Sequence, residues 1–366
     1  MNTYAIMMYY NIVVFKAYKF RIKDKTSKKK LLAMSQSVNF VWNFCNESQK
    51  TAVSQHKRWL NKFDFQLLLK GAHEDVGLLA STLRQVAYTY EKSRCQRKKP
   101  WLRWRSSTGK RRSLGWIPFY GGISIDDGNV TYMGNTFRIW QSRTPVGKLK
   151  SGSFSEDAQG RWYVNLVYEQ DPVVTCRRHE EVGIDLGLKD IVTTSNDEKH
   201  EAQRMFRKLE DKLGRAQRAN KKRQVRKIHA KIRNVRKDFN HKLSTDLVSR
   251  HGFIVVGNIS ALVLPKRMKK SAYDASWSQL RSYLRYKALA SGSEFVEVNE
   301  AYTTQDCSQC SARCGPKGLA GLAVRGWKCE NCGTVHDRDV NAARNILRLG
   351  YQARKVITSH LTEALS

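Results

Sequence analysis

Two Cys-x-x-Cys pairs, Cys307/Cys310 and Cys329/Cys332, constrain this chain more than any other feature of it. The pairs stand 18 residues apart, Cys-x2-Cys-x18-Cys-x2-Cys, the spacing of a zinc ribbon. Four thiolates complete a tetrahedral shell and leave no position for a substrate, so the Zn2+ expected here is structural. Cys45, Cys95, Cys176 and Cys314 are scattered, and Cys314 has no partner at metal spacing. The cysteines therefore do not read as a disulfide framework, and a reducing, cytoplasmic setting is expected.

Composition narrows the partner. Lys and Arg outnumber Asp and Glu by 66 to 32, a formal net charge of +34 over 366 residues. Such an excess repels itself unless a polyanion neutralises it, and each phosphate contacted releases counterions. Nucleic acid is the expected partner. A membrane surface is the rival reading, but the basic residues are spread over the whole length. No apolar run approaches the roughly 18 residues that cross a bilayer. Met1 to Phe15 is apolar and aromatic, without the basic start and small-residue cleavage site of a signal peptide. The length and a hydrophobic fraction of 41% predict two or three domains with real cores.

Along the chain, Val13 to Ile22 alternates as a strand, and Lys29 to Lys57 carries Leu32, Met34, Val38, Val41 and Phe44 at helical spacing. Phe63 to Tyr90 continues helically. The basic stretch Lys92 to Arg112 holds Trp101 and Trp104, a mixture that suits phosphate contact with base stacking, or a solvated loop with its tryptophans folded back. Ser113 to Glu169 breaks into short alternating runs with Gly and Asp turns, an antiparallel β module into which the helical segment is inserted. Glu181 to Ser195 reads as strand, turn, strand. Two helices follow, with a break near Asn220. Between Arg204 and Lys237 there are 15 Lys/Arg against two acidic residues, including Lys221, Lys222, Arg223, Arg226 and Lys227. A solvated face would mix signs, so a phosphate-contacting helical hairpin is expected. Phe253 to Ile259, a helix over Trp277 to Leu289, and Phe295 to Glu300 complete an alternation that predicts a mostly parallel sheet. The tail after Gly350 carries no clear signal.

Carboxylates supply the chemistry. Asp185 lies in the apolar run Val182-Gly-Ile-Asp-Leu-Gly-Leu188, where an unpaired charge is costly unless it holds a metal. Gly187 lets a backbone or phosphate approach. Asp337 and Asp339 precede Asn341, Ala342 and Ala343, small residues suited to pressing a helix against a sheet. One of the two aspartates caps that helix, and Asp337 is assigned this task. Two-metal hydrolysis of a phosphodiester needs several carboxylates around two Mg2+ ions about 4 Å apart, so Asp185 and Asp339 require a third acid.

At this point the chain resembles a known family. Gly183-Ile-Asp-Leu-Gly187, the four-cysteine ribbon, Tyr302-Thr-Thr304 and Asp337-Arg-Asp-Val-Asn-Ala-Ala343 resemble TnpB, the transposon-associated, RNA-guided DNA nuclease related to type V CRISPR effectors. Val41-Trp-Asn43 and Trp116-Ile-Pro-Phe119 extend the resemblance, which spans about Val13 to Gly350 and begins after Met1 to Ile12. It implies an α+β multidomain chain: an RNase H-like (RuvC) core interrupted by the zinc ribbon, and an N-terminal antiparallel β module with an inserted helical recognition domain. The implied boundaries are 1–28 and 113–178 for the β module, 29–112 for the helical domain, 179–303 and 334–350 for the nuclease domain, 304–333 for the ribbon and 351–366 for a tail.

One position departs from the family. The strand matching Ile254-Val-Val256 ordinarily ends in the middle catalytic glutamate, yet here Gly257 and Asn258 follow. In an RNase H sheet this strand lies beside the Asp185 strand, with Phe295 to Glu300 next to it. Neighbouring strands are about 4.8 Å apart. A glutamate ending the outer strand can therefore reach across, and Gly257 leaves it room. Glu300 sits at that end, whereas Glu297 points to the opposite face. The resemblance thus implies Asp185, Glu300 and Asp339 as catalytic Mg2+ ligands of an RNA-guided DNA endonuclease. Its partners would be a guide RNA, target double-stranded DNA and the displaced strand, and its state a monomer. A nuclease-inactive guided repressor and an unguided zinc-ribbon DNA-binding protein are the alternatives.

Overall fold

A computed structural model describes residues 14–23, 25–171, 180–260, 264–321 and 323–363. Met1 to Val13 and Cys176 lie outside the described residues. The chain forms two compact units, Met1–Asp171 and Pro172–Ser366.

In the first unit, β1 (Val14–Ile22) leads into the helices α1 (Lys25–His56), α2 (Lys62–Leu68), α3 (His73–Val76) and α4 (Ala80–Arg97). The helical run expected over Phe63 to Tyr90 is thus broken, with Gly71 and Gly77 at positive φ in the turns. Strands β2 (Trp116–Phe119), β3 (Ile123–Asp126), β4 (Asn129–Tyr132), β5 (Asn135–Trp140), β6 (Lys148–Glu156) and β7 (Trp162–Gln170) join β1 in one antiparallel sheet of order β2-β6-β7-β1-β5-β4-β3. One apolar cluster runs through both parts: Leu31, Val38, Val41 and Tyr90 of the helices pack with Phe20, Ile117, Phe119 and Phe154 of the strands. The inserted helices therefore share the core of the sheet.

The basic stretch begins inside α4, which runs to Arg97. The segment after it is strapped along α1. Asn46 exchanges two hydrogen bonds with the backbone of Leu102 (2.8 and 3.0 Å), and Asn43 does the same with Arg105 (both 2.8 Å). Asn39 accepts from Arg105 Nε at 2.6 Å. These asparagines recur at i, i+4 and i+7, so one helix face reads an extended backbone much as a neighbouring strand would. Trp101 and Trp104 are 41% and 46% exposed, so neither ring is folded back into the core.

The second unit holds the sheet β10-β9-β8-β11-β12, built from β8 (Glu180–Asp185), β9 (Asp190–Thr194), β10 (Lys199–Glu201), β11 (His251–Gly257) and β12 (Glu294–Val298). Strands β8, β11 and β12 are parallel, while β8/β9 and β9/β10 are antiparallel. The expectation of a mostly parallel sheet is corrected: turns as short as those after Asp185 and Thr194 can only make hairpins. This is the RNase H-like strand order. Strand β11 is buried on both faces. Ile254 and Val256 pack with Leu247 and Leu284, and Phe253 and Val255 pack with Ile346.

Helix α5 (Met205–Arg218) and helix α6 (Lys222–Arg250) form a hairpin that turns at Asn220, whose φ is +50°. Its tip has a small core of its own, Leu213, Ala216, Ile228 and Ile232. Lys221, Lys222, Arg223, Arg226 and Lys227 are all exposed there. Helices α7 (Lys266–Ala275) and α8 (Trp277–Ser291) lead to β12. After the short helix α9 (Gly318–Gly321) and the hairpin of β13 (Gly326–Lys328) and β14 (Val335–Asp337), the helix α10 (Arg338–Glu363) closes the second face of the sheet. It runs without a break through Gly350, so the segment read as a featureless tail is largely helical. Gly350 serves close packing: a Cβ there would come within 2.3 Å of Val255.

Candidate active site and metal centre

The thiols of Cys307, Cys310, Cys329 and Cys332 all lie within 4.8 Å of one another. Cys307 and Cys332 are 3.7 Å apart and Cys310 and Cys329 3.6 Å. A tetrahedral zinc with Zn–S bonds of about 2.3 Å requires S···S separations of about 3.8 Å, so the donor set fits that ion. His336 places Nε2 3.0 Å from Cys307 Sγ, and Thr334 Oγ1 lies 3.3 Å from Cys332 Sγ. Cys314, outside the four, sits 3.3 Å from Cys329. Its approach to Cys329 was not legible from spacing alone.

Around the carboxylates, the ends of β8, β11 and β12 meet the start of α10. Asp185 is the last residue of β8, and Glu300 follows β12 by two residues. Burial raises the Asp185 carboxyl to about 8, helped by the negative charges of Glu300 and Asp339 and opposed by Arg338. The charges felt at Asp185 thus place Glu300 and Asp339 in its electrostatic neighbourhood. Burial likewise pushes Glu300 up to about 7, against the pull of the Ile259 backbone and the Arg281 guanidinium.

Gly257 and Glu300 fit together closely. A Cβ built on Gly257 would lie 2.1 Å from Glu300 Oε2 and 3.2 Å from its Cβ. The Glu300 carboxylate thus occupies the space that any side chain at 257 would need. Its Oε2 is buried and has no hydrogen-bond partner. Buried polar atoms are nearly always satisfied, so an orphaned carboxylate oxygen beside other acids fits a cation ligand. Glu297 is turned away and pairs with Arg285 at 2.5 Å.

Asp337 caps α10 as the sequence suggested. Its Oδ1 accepts from the backbone N–H of Asp339 (3.0 Å) and Val340 (3.1 Å). Burial acts to raise its carboxyl, but Lys199 at 2.6 Å and these N–H groups outweigh that and leave it below the usual range. Asp339 meets Arg325 of the ribbon at 2.5 Å and Arg338 at 3.1 Å. Among the described residues the four thiols form a metal-ligating cluster, whereas the three carboxylates do not converge to that tightness.

Sequence reasoning missed the groups that frame the site. Arg281 donates to the carbonyls of Gly257 (3.3 Å) and Ile259 (2.6 Å). Asn341 and Asn345 both donate to the carbonyls of Thr303 and Asp306, at 2.6 to 3.1 Å, and Asn341 accepts from Ser308 N at 2.8 Å. This clamp ties the turn after Glu300 to the helix that begins beside Asp339. Two asparagines four apart on one helix face were the available signal. Gly183 completes the frame, since a Cβ there would fall 2.1 Å from the carbonyl oxygen of Ala343. Only glycine allows α10 to lie so close to β8.

The chain is similar to known proteins in sequence and in fold. The family model described as Cas12f1-like, TNB domain matches residues 277–346, and the OrfB_IS605 model, a probable transposase, matches residues 165–264. A putative RNA-guided DNA endonuclease of Streptomyces pristinaespiralis is 37% identical over 230 residues, 58% of this chain and 56% of the relative. The putative RNA-guided DNA endonuclease InsQ of Escherichia coli (strain K12) is 28% identical over 246 residues, 58% of this chain and 60% of the relative. The TnpB-like protein L770 of Acanthamoeba polyphaga mimivirus is 26% identical over 76% of this chain and 56% of its own length. The chain thus spans little more than half the length of the curated relatives it matches. A solved Cas12f1–sgRNA–target DNA complex covers 88% of this chain and 83% of that one, with a TM-score of 0.59 at 13% identity, a likeness of fold. The two matching family models and the TnpB-named relatives support membership of the TnpB family, and the solved complex shares the fold.

Proposed function

We propose that this protein is an RNA-guided DNA endonuclease in which Glu300 replaces the acid absent at Gly257. The observation that carries the reading is the Glu300 carboxylate, lodged over Gly257 with a buried, unpartnered oxygen. Asp185, Glu300 and Asp339 would hold Mg2+, and the four cysteines would hold a structural Zn2+. Magnesium bound there supplies an activated water and stabilises the leaving 3′ oxygen. Burial holds protons on both Asp185 and Glu300, with the charges of Glu300 and Asp339 adding to it at Asp185, and these carboxyls would give up those protons on holding a cation. Arg325 and Arg338 hold the Asp339 carboxylate in place. The exposed basic tip of the α5–α6 hairpin, with Trp101 and Trp104 of the first unit, would contact guide and target through phosphates and stacking. Base pairing with the guide supplies target sequence, after the protein reads a short flanking motif. The protein would act as a monomer in the cytoplasm. Among the described residues no helix is long and apolar enough to cross a membrane.

Nucleic acid extracted from the purified protein should contain a discrete structured RNA. The complex should cut guide-matched DNA in Mg2+, and Glu300→Gln should abolish cutting while binding persists. Full activity in Glu300→Gln would sink the relocated-acid reading. A guided repressor is the second reading, favoured by the double arginine pairing of Asp339. Tight guided binding with no cleavage in Mg2+ or Mn2+ would decide for it.

A further inference from the structure

Tyr302 is left unexplained by everything above. It lies two residues after Glu300 and has a φ of +66°. For a bulky aromatic residue that left-handed conformation is an outlier, and Gly or Asn would adopt it at lower cost. The turn itself does not need the ring. The Tyr302 carbonyl accepts from Gln305 N (2.8 Å) and Asp306 N (2.9 Å), and the Glu300 carbonyl accepts from Thr303 N (3.2 Å) and Thr303 Oγ1 (2.8 Å). Nor does packing need it, because Tyr302 is 53% exposed.

What holds the ring is a guanidinium. Arg313 lies 3.9 Å from the ring centroid. Arg313 is itself fixed by Asp306, through Nε at 2.7 Å and Nη2 at 3.3 Å. The Asp306 carbonyl is in turn clamped by Asn341 and Asn345. A strained, exposed aromatic ring is therefore backed by a cation and rigidly tied to the turn that carries Glu300. Such a ring offers a π surface to a nucleobase, and the guanidinium behind it offers positive charge to the adjoining phosphate.

We infer that Tyr302, backed by Arg313, is a stacking platform for a base of the single DNA strand presented to the carboxylate site. The inference rests on the endonuclease reading for the identity of that strand, and adds the residue that would fix its register. Every base has a π face, so the platform is tolerant of sequence, as cutting directed by a guide requires.

The test uses the full chain with its co-purified RNA, in Ca2+, and a single-stranded oligodeoxynucleotide bearing 2-aminopurine, whose fluorescence falls on stacking. Tyr302→Asn keeps a residue suited to the left-handed turn and removes the ring. Tyr302→Phe keeps the ring. The expected result is quenching by the wild type, about tenfold weaker binding with lost quenching in the Asn variant, the size of one lost base stack, and Phe within about twofold of wild type. One zinc per chain in each variant verifies the fold. Wild-type binding and quenching by Tyr302→Asn overturns the proposal, as does a Phe variant as impaired as Asn. Cleavage in Mg2+ is scored separately. Quenching as expected without any cleavage sinks the endonuclease reading and leaves the platform standing, whereas wild-type cleavage with no effect of Tyr302→Asn does the reverse.

Discussion

The ribbon and the carboxylate site are neighbours in the fold of the second unit, yet they are built on opposite principles. The four thiols come from two tight knuckles and already stand at ligand distance, with His336 and Thr334 against their sulfurs. The acids come from three separated stretches of chain, at Asp185, Glu300 and Asp339, and arginines divide their charge. A site that must only hold an ion can be closed and local. One that must admit a phosphodiester has to stay open, and its ligands are positioned by the sheet, the Asn341/Asn345 clamp and Gly183.

The sharpest break between them should be thermodynamic. Structural zinc contributes about 10–16 kcal/mol of apparent binding energy in small zinc domains. Cys329→Ser should abolish zinc binding and unfold the ribbon, read as metal stoichiometry and loss of its amide-exchange protection. Cys314→Ser, although it removes a thiol 3.3 Å from Cys329, should leave one zinc per chain. Zinc loss in Cys314→Ser would mean that the ribbon is not the closed four-thiol site described here.

At the open site the large effect is on rate. Gly257→Ala drives a methyl into Glu300 Oε2, and displacement of a reacting group by about 1 Å costs on the order of a hundredfold. Glu300→Gln removes a metal ligand worth several kcal/mol of barrier, on the order of a thousandfold. The pair Gly257→Glu with Glu300→Gly returns the acid to the end of β11 and should recover cleavage well above either single variant. No recovery, with the double variant folded and zinc-loaded, would break the claim that the two positions exchange one role.

These contrasts also explain what was legible. The ribbon spacing was readable because it is a local rule applied to local sequence, whereas the strand order, and the room over Gly257 that follows from it, came from the family resemblance. The arginine pairing of Asp339 was hidden, since Arg325 reaches it only through the β13–β14 hairpin. The Asn39, Asn43 and Asn46 strap was hidden for the same reason, as its partners lie 56 to 68 residues downstream. Gly350 reads in sequence as the boundary of a tail without clear signal, whereas in the fold it is the point where α10 presses on Val255. Asn341 and Asn345 showed only their four-residue spacing, because the two remote carbonyls they serve leave no mark in the sequence.

The clamp gives a smaller, graded test. Each of the carbonyls of Thr303 and Asp306 receives a hydrogen bond from both asparagines, so one can partly cover for the other. Asn341→Ala or Asn345→Ala should each cost about 1 kcal/mol, and the double variant about 3 kcal/mol because two buried carbonyls are then unserved. In a unit of this size that is roughly 2–4 °C of melting temperature per kcal/mol. Additive small losses in the double variant would argue that the asparagines act independently instead of as one clamp.

The smallest effect is the one whose sign separates the two sites. In an unfolded chain Asp titrates near 3.9 and Glu near 4.3. In the folded, metal-free protein Asp185 is raised to about 8 and Glu300 to about 7. Between those limits the folded state holds protons that the unfolded state has lost, so the contribution of these acids is fully present below about pH 4 and is lost as pH rises through 7 and 8. Mg2+ should abolish the loss, and Asp185→Asn should flatten it, raising the melting temperature at pH 7.5 by a few degrees in the absence of Mg2+. The ribbon should move the other way. Its thiolates must be deprotonated to hold zinc, so acid weakens it and a rise in pH favours it. Melting followed at both sites in one pH series, by zinc release for the ribbon and by amide exchange at β8 for the carboxylates, should therefore give slopes of opposite sign. Parallel slopes would show that the acids are not stressed by burial and by one another, and would remove the electrostatic ground for assigning Asp185 and Glu300 to a cation.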